Sequence, residues 1–226
     1  MECRHLANDG DSVESGTVLL ELVGNARAIV RLERTMLNLV SRMSGIASRT
    51  QSFVGLVEGT KAKICDTRKT TPGHRLIEKY AVRCGGGTTH RIGLCDAVLI
   101  KDNHIAGLSD AQLGAKLEQA ATRAREGDGD LWFVQVEVDR LSQLGRVLAL
   151  PIGLIDMVLL DNMDCDLLTK AVKMRDDSRS SMLLEASGGV TIETVIEIAR
   201  TGIDRISIGG LTHQAVSLDI GLDTLA

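Results

Sequence analysis

Aromatic residues are nearly missing from this chain: 2% of 226 residues, with one Trp and one Tyr. Such a chain has no stacking platform for single-stranded nucleic acid. It also lacks an excess of positive charge, the formal net charge being -4. That excludes a protein drawn to nucleic acid by its overall field, so any cationic site must be local. The five cysteines (Cys3, Cys65, Cys84, Cys95, Cys165) are odd in number and form no Cys-x-x-Cys pair. Neither a disulfide framework nor a zinc site is indicated, and a reducing, cytoplasmic compartment is the simplest setting. No apolar run approaches the length of a bilayer span, and the start Met1-Glu-Cys-Arg-His5 has no signal-peptide apolar core. No membrane partner is expected.

What is present is a regular alternation. Short apolar runs at Ala62 to Cys65, Ala97 to Ile100, Phe133 to Val138, Met157 to Leu160, Met182 to Leu184 and Arg205 to Ile208 predict strands. Amphipathic stretches near His74 to Arg83, Asp110 to Arg125, Arg140 to Leu150, Asp164 to Met174 and Thr191 to Thr201 predict the helices between them. Repeated β-α units make a parallel sheet, either a barrel or an open doubly wound sheet. Ahead of them, Asp9 to Val23 reads as a turn-rich entry and a short strand, the tail of a small β-containing domain whose beginning is absent. From Asn25 to about Val57 the apolar spacing predicts two helices or one long kinked helix, with the break at Ser44-Gly45.

The strand ends decide between barrel and open sheet. They carry Asp66 with Arg68 and Lys69, Lys101 with Asp102 and Asn103, Glu137, Asp161 with Asn162, Glu185 to Gly189, and Gly209 with Gly210. Polar groups at the C-terminal end of successive strands are the requirement of an α/β barrel site, whereas a doubly wound sheet concentrates them at its switch point. Since six units are visible, the expected fold is an incomplete, open α/β barrel of about six or seven parallel strands, preceded by the remnant of a small N-terminal domain. The expected division is residues 1–45, 46–212 and a C-terminal segment 213–226.

The same residues suggest a ligand. Arg68, Lys69, His90, Arg91 and Lys101 form a cationic cradle suited to several carboxylates or phosphates. Lys101 alternatively suits a Schiff-base lysine. Ser187-Gly188-Gly189 and Gly209-Gly210 precede helical stretches, where backbone amides can hold phosphate. Glu137 and Asp161 can hold a divalent metal, bind sugar hydroxyls or stabilise positive charge on carbon; a structural ion pair with the nearby lysines is the plainer alternative. His104 and His213 read best as satisfied loop histidines.

Several blocks resemble the quinolinate phosphoribosyltransferase family of type II phosphoribosyltransferases. They are Leu32-Glu-Arg-Thr-Met-Leu-Asn38, Ser44-Gly-Ile-Ala47, Asp66-Thr-Arg-Lys-Thr-Thr-Pro-Gly73, Glu78-Lys-Tyr-Ala-Val-Arg-Cys-Gly-Gly-Gly87, His90-Arg-Ile-Gly-Leu94, Ile100-Lys-Asp-Asn-His-Ile105, Leu160-Asp-Asn-Met163, Glu185-Ala-Ser-Gly-Gly189 and Gly210-Leu-Thr-His213. The resemblance implies transfer of phosphoribose from phosphoribosyl pyrophosphate to quinolinate with loss of carbon dioxide and Mg²⁺ assistance. It gives Arg34, Arg68, His90, Arg91 and Lys101 to the dicarboxylate and Lys69 to the donor. Glu137 and Asp161 fall to the ribose hydroxyls and metal, and Ser187, Gly188, Gly189, Gly209, Gly210 and His213 to the 5′-phosphate.

It further implies an N-terminal α/β sandwich, and a homodimer or hexamer with a shared active site to which Arg34 is donated across the interface. Against the family pattern the first half of the N-terminal domain is expected to be missing. Thr89, Gln135 and Gly210 depart from the common Asn, Glu and Ala. Two alternatives stand beside this: the molybdenum-transport-associated paralogue of the same fold, and a truncated inactive phosphate-binding barrel that pairs with full-length subunits.

Overall fold

The computed structural model describes residues 1–127 and 131–224; the last two residues of the expected C-terminal segment lie outside them. Two short antiparallel strands, β1 (Glu2–His5) and β2 (Leu20–Val23), lead into the long helix α1 (Ala26–Leu56). The repeating units follow as β3 (Lys63–Cys65), α2 (Arg75–Cys84), β4 (Val98–Ile100), α3 (Asp102–Ile105), α4 (Asp110–Arg125), β5 (Val134–Val138) and α5 (Leu141–Leu148). The chain continues through β6 (Met157–Asp161), α6 (Cys165–Asp177), β7 (Leu183–Ser187), α7 (Val195–Arg200), β8 (Arg205–Ser207) and α8 (Gly210–His213).

The main sheet has six parallel strands in the order β3-β8-β7-β6-β5-β4. Its strands run consecutively from β4 to β8 and then bring the first, β3, beside the last. That is the order of a sheet wrapping round, with no switch point. β3 and β4 are not paired, so the barrel is open at that seam. A single parallel bridge between Cys65 and Thr88 supplies a rudimentary seventh strand there.

Strand residues alternate between two environments, as the two-residue side-chain period requires. Val134, Val136, Val138, Val158, Leu160, Leu184, Ala186 and Ile206 are buried in the main apolar cluster with the helices. The alternate positions include Gln135, Glu137, Glu185 and Ser207, all buried and polar. This explains why the apolar run predicted at Met182 to Leu184 continues as strand to Ser187: Glu185 points inward, where Arg205 Nε donates to it at 2.9 Å.

The expected break in the first long helix does not occur. α1 runs unbroken for 31 residues, started by the Asn25 side chain accepting from the Ala28 amide. Gly45 is there for clearance: a Cβ at this position would overlap the Val216 carbonyl oxygen. Close packing of the C-terminal segment outweighs the roughly 1 kcal/mol a helical glycine costs. The same segment is tied down where the Leu218 amide donates to Ser41 O at 3.0 Å. β1 has no counterpart among the expected strands, because its four residues are exposed and carry no apolar alternation.

Candidate active site

Each strand delivers its polar group to one end of the barrel. Asp161 and Ser187 are the last residues of their strands, Glu137 is next to last, and Lys101 directly follows β4. Lys101 Nζ lies 3.4 Å from Glu137 Oε2. Burial pushes the Glu137 pKa up; Lys101 opposes this, while repulsion from Asp161 adds to it. The Asp161 carboxylate accepts from Asn162 Nδ2 at 2.7 Å.

Asn162 is in the left-handed region at φ 53, with its amide donating to Ser187 O at 2.8 Å. It fills the space beside Gly188, which has φ 98 and where a Cβ would overlap Asn162 Oδ1. Sequence reasoning left Asn162 out of the candidate set, although its place beside Asp161 was a signal.

The loop after β8 closes against the cationic loop after β3. Thr212 Oγ1 donates to Lys69 O at 2.6 Å, and a Cβ on Gly209 would lie 2.8 Å from Lys69 Cδ and 3.3 Å from His213 Nε2. Two arginines on one face of α1 hold this loop by its carbonyls. Arg42 donates to Thr212 O and Ala215 O, both at 2.6 Å, and Arg49 to Gly210 O at 2.8 Å. Lys69, Gly209, Gly210 and His213 therefore form one wall, and Glu137, Asp161, Ser187 and Gly188 stand on the neighbouring strands.

On the other side stand Arg68 and Arg91. Arg91 is 7% exposed and its Nη1 donates to Ala97 O at 3.3 Å. Its pKa is lowered, first by burial and then by the charge of Arg68 beside it. Arg68 Nε is itself buried with no partner. Two crowded guanidiniums, one with an unpaired buried N–H, are a standing demand for an anion.

His90 is engaged on both ring nitrogens. Nδ1 accepts from the Arg91 amide at 2.7 Å, so the proton of a neutral ring sits on Nε2, which faces Gln135 Oε1 at 2.8 Å and Glu185 Oε1 at 3.4 Å. Phe133 packs its ring against His90 at 89°. His90 thus shapes the wall that carries Arg91. A polar Gln135 inside an apolar strand was the one sequence sign of this interior network. Among the described residues, Arg34 has a single polar contact, Glu33 at 3.7 Å, and nothing joins it to the barrel end of its own chain. His104 Nδ1 accepts from the Lys101 amide at 3.0 Å, a satisfied loop histidine.

No group of three His, Cys, Asp or Glu side chains that would hold a metal occurs among the described residues. Glu137 and Asp161 remain as neighbouring carboxylates, and their repulsion helps raise the Glu137 pKa. Such a pair fits Mg²⁺, which takes one or two carboxylates and completes its shell with water and substrate phosphate.

A family model described as quinolinate phosphoribosyl transferase, C-terminal domain, matches residues 46–223, and its N-terminal counterpart matches 1–44. The chain belongs to the quinolinate phosphoribosyltransferase family. Among curated relatives, nicotinate-nucleotide pyrophosphorylase [carboxylating] of Mycobacterium leprae is 46% identical over 95% of this chain and 72% of its own length. The probable enzyme of that name from Bacillus subtilis is 43% identical over 95% of this chain and 70% of its own length. The fold agrees as well. A crystal structure of nicotinate-nucleotide pyrophosphorylase from Ehrlichia chaffeensis superposes with a TM-score of 0.84 at 40% identity, covering 98% of this chain and 76% of that one. This chain and that enzyme of the quinolinate phosphoribosyltransferase family therefore share a fold. No helix here is long and apolar enough to cross a membrane among the described residues.

Proposed function

We propose that this chain joins quinolinate to phosphoribosyl pyrophosphate, giving nicotinate mononucleotide, pyrophosphate and carbon dioxide in pyridine nucleotide synthesis. The observation that carries the reading is the pair Arg68 and Arg91, crowded together with a buried, unpartnered guanidinium N–H and with Lys101 at the end of β4. Three cations suit two carboxylates on one ring. The names of the relatives, which specify a nicotinate nucleotide and a carboxyl change, point to the same acceptor.

In this reading Arg68, Arg91 and Lys101 grip the acceptor, with His90 holding their wall in place. The ring nitrogen attacks the anomeric carbon as the bond to pyrophosphate breaks. Lys69 faces the leaving anion, while Glu137 and Asp161 favour the cation-like ribosyl centre. Ser187, Gly188, Gly189, Gly209, Gly210 and His213 take the 5′-phosphate. Glu137 and Asp161 would also hold Mg²⁺, which when bound neutralises the departing pyrophosphate. The quaternised ring then accepts the electron pair released as carbon dioxide leaves, and a proton fills the vacated carbon. Arg34, whose one polar contact among the described residues is its neighbour Glu33, would serve the barrel of a neighbouring copy in a homodimer or hexamer. We place this chemistry in the cytoplasm, where both substrates are soluble.

Purified chain, quinolinate, phosphoribosyl pyrophosphate and Mg²⁺ should yield nicotinate mononucleotide, and nicotinate in place of quinolinate should yield none. Product from nicotinate at a comparable rate would overturn the acceptor assignment. No product from quinolinate, with the donor still bound, would overturn the activity.

A further inference from the structure

The open seam of the barrel leaves a gap in its hydrogen-bond ladder, and two buried side chains fill it. At the Cys65–Thr88 bridge the Thr88 amide donates to Ile64 O at 2.7 Å and the Asp66 amide to Thr88 O at 3.1 Å. In a continuing parallel ladder the next rung would join the His90 amide to the Asp66 carbonyl and the Arg68 amide to the His90 carbonyl. Neither bond forms. The His90 amide donates instead to the Asp66 side chain, Oδ1, at 2.7 Å. The His90 carbonyl accepts from Lys79 Nζ at 3.1 Å, and Lys79 closes the ring on the same Asp66 oxygen at 2.5 Å.

We infer that Asp66 and Lys79 are positioning residues for the acceptor side of the site, replacing a ladder rung so that the Arg68 and Arg91 backbones diverge while the His90–Arg91 peptide stays fixed. The assignment rests on the acceptor role given to Arg91 above. Both side chains are nearly inaccessible, at 0% and 4%. Burying an ion pair is weak evidence for stability, since desolvation offsets attraction. Here the pair holds both main-chain polar groups of one residue, His90, the neighbour of Arg91. Releasing the Arg68 amide from the sheet lets the chain turn at once; the Thr70 amide comes back to Arg68 O at 2.9 Å. The seam is thus where the two guanidiniums separate from one sheet edge and converge on one ligand.

The test is Lys79→Met, with hydrogen exchange of the segment Thr88 to Ile92 measured beside steady-state kinetics. Exchange there should accelerate about tenfold or more while β5 and β6 keep their protection. KM for quinolinate should rise about tenfold or more, with KM for phosphoribosyl pyrophosphate within about twofold. Should Lys79→Met fail to fold, the neutral pair Asp66→Asn with Lys79→Gln removes the lone buried charge and takes the same two measurements. Unchanged exchange at Thr88 to Ile92, or a joint rise of both KM values, overturns the assignment. If the wild-type protein does not turn over quinolinate, the exchange result still decides the clamp, so the two readings fail separately.

Discussion

The two ends of the barrel are built from the same residue types and treat them oppositely. At the N-terminal end the charges of one network answer each other. Arg175, 6% exposed, donates to Asp204, to Asp176 at 2.7 Å and to Met182 O at 3.4 Å. Asp204 also meets Lys61 at 2.9 Å and accepts from the Leu184 amide at 2.8 Å. At the C-terminal end Arg68 Nε is unpartnered, Arg68 and Arg91 repel each other, and Glu137 is pushed toward its neutral form. A satisfied network is spent on stability, whereas an unsatisfied one is held ready for a ligand. Substitutions at the two ends should therefore separate cleanly into loss of folding and loss of chemistry.

The largest effect should come from Arg68→Ala. Removing one partner of a buried charge contact costs about 2–5 kcal/mol, so kcat/KM for quinolinate should fall about 30-fold or more. Thermal stability should stay within about 2 °C, because the folded protein gives up little of its own. A large loss of Tm instead would erase the distinction between the two ends. Asp204→Ala should do the reverse, leaving Arg175 buried beside fewer carboxylates at a cost of about 3 kcal/mol. Differential scanning calorimetry should show Tm lowered by about 6–12 °C, with both KM values unchanged.

Smaller and more diagnostic is Glu137→Gln. A carboxyl whose pKa is raised in the folded state binds protons more tightly there, so its ionised form costs stability above that pKa. The variant should be inactive yet melt a few degrees higher at neutral pH. The gain should disappear below the ordinary value of 4.5, where the wild-type group is protonated as well. A variant that melts lower at neutral pH would contradict the raised pKa.

The gentlest probe is acid itself. Burial works against the ionised forms of Glu185 and Asp204. His90 and Arg205 outweigh it for the first, and the Leu184 amide, Lys61 and Arg175 for the second, so both pKa values lie below the ordinary 4.5 and 3.8. Their contribution is present above those ordinary values and is lost as pH falls through the lower native ones. Wild-type Tm should drop below about pH 4, more steeply than that of Asp204→Ala.

Much of this was legible beforehand because the helix-facing side of each strand is a run of Val, Leu and Ile, ending where a charged residue faces the site. The strands followed from those runs, and the open barrel from the polar groups at successive strand ends and from the six units. Gly45 misled, since helix propensity registers the cost of a glycine and is blind to the carbonyl it makes room for. The Asp66–Lys79 pair was invisible for a related reason. Lys79 sits on a helix, where a cation reads as a solvated face, and only the seam brings it beneath His90. Gln135 lay in plain sight within an apolar strand, but its partner His90 is contributed from across the barrel.

The pairing of β3 with β8 has a consequence for how the protein comes into being. β3 is the first barrel strand made, and its ladder neighbour is the last. Until Arg205 to Ser207 has been synthesised, that edge of β3 has no strand to accept, and the loops bearing Lys69 and His213 have nothing to close against. Contacts so distant in sequence make for slow folding. Closure of the sheet and assembly of this wall of the candidate site should accordingly appear as one late event in refolding, with Trp132 near β5 reporting earlier than any probe placed on β3.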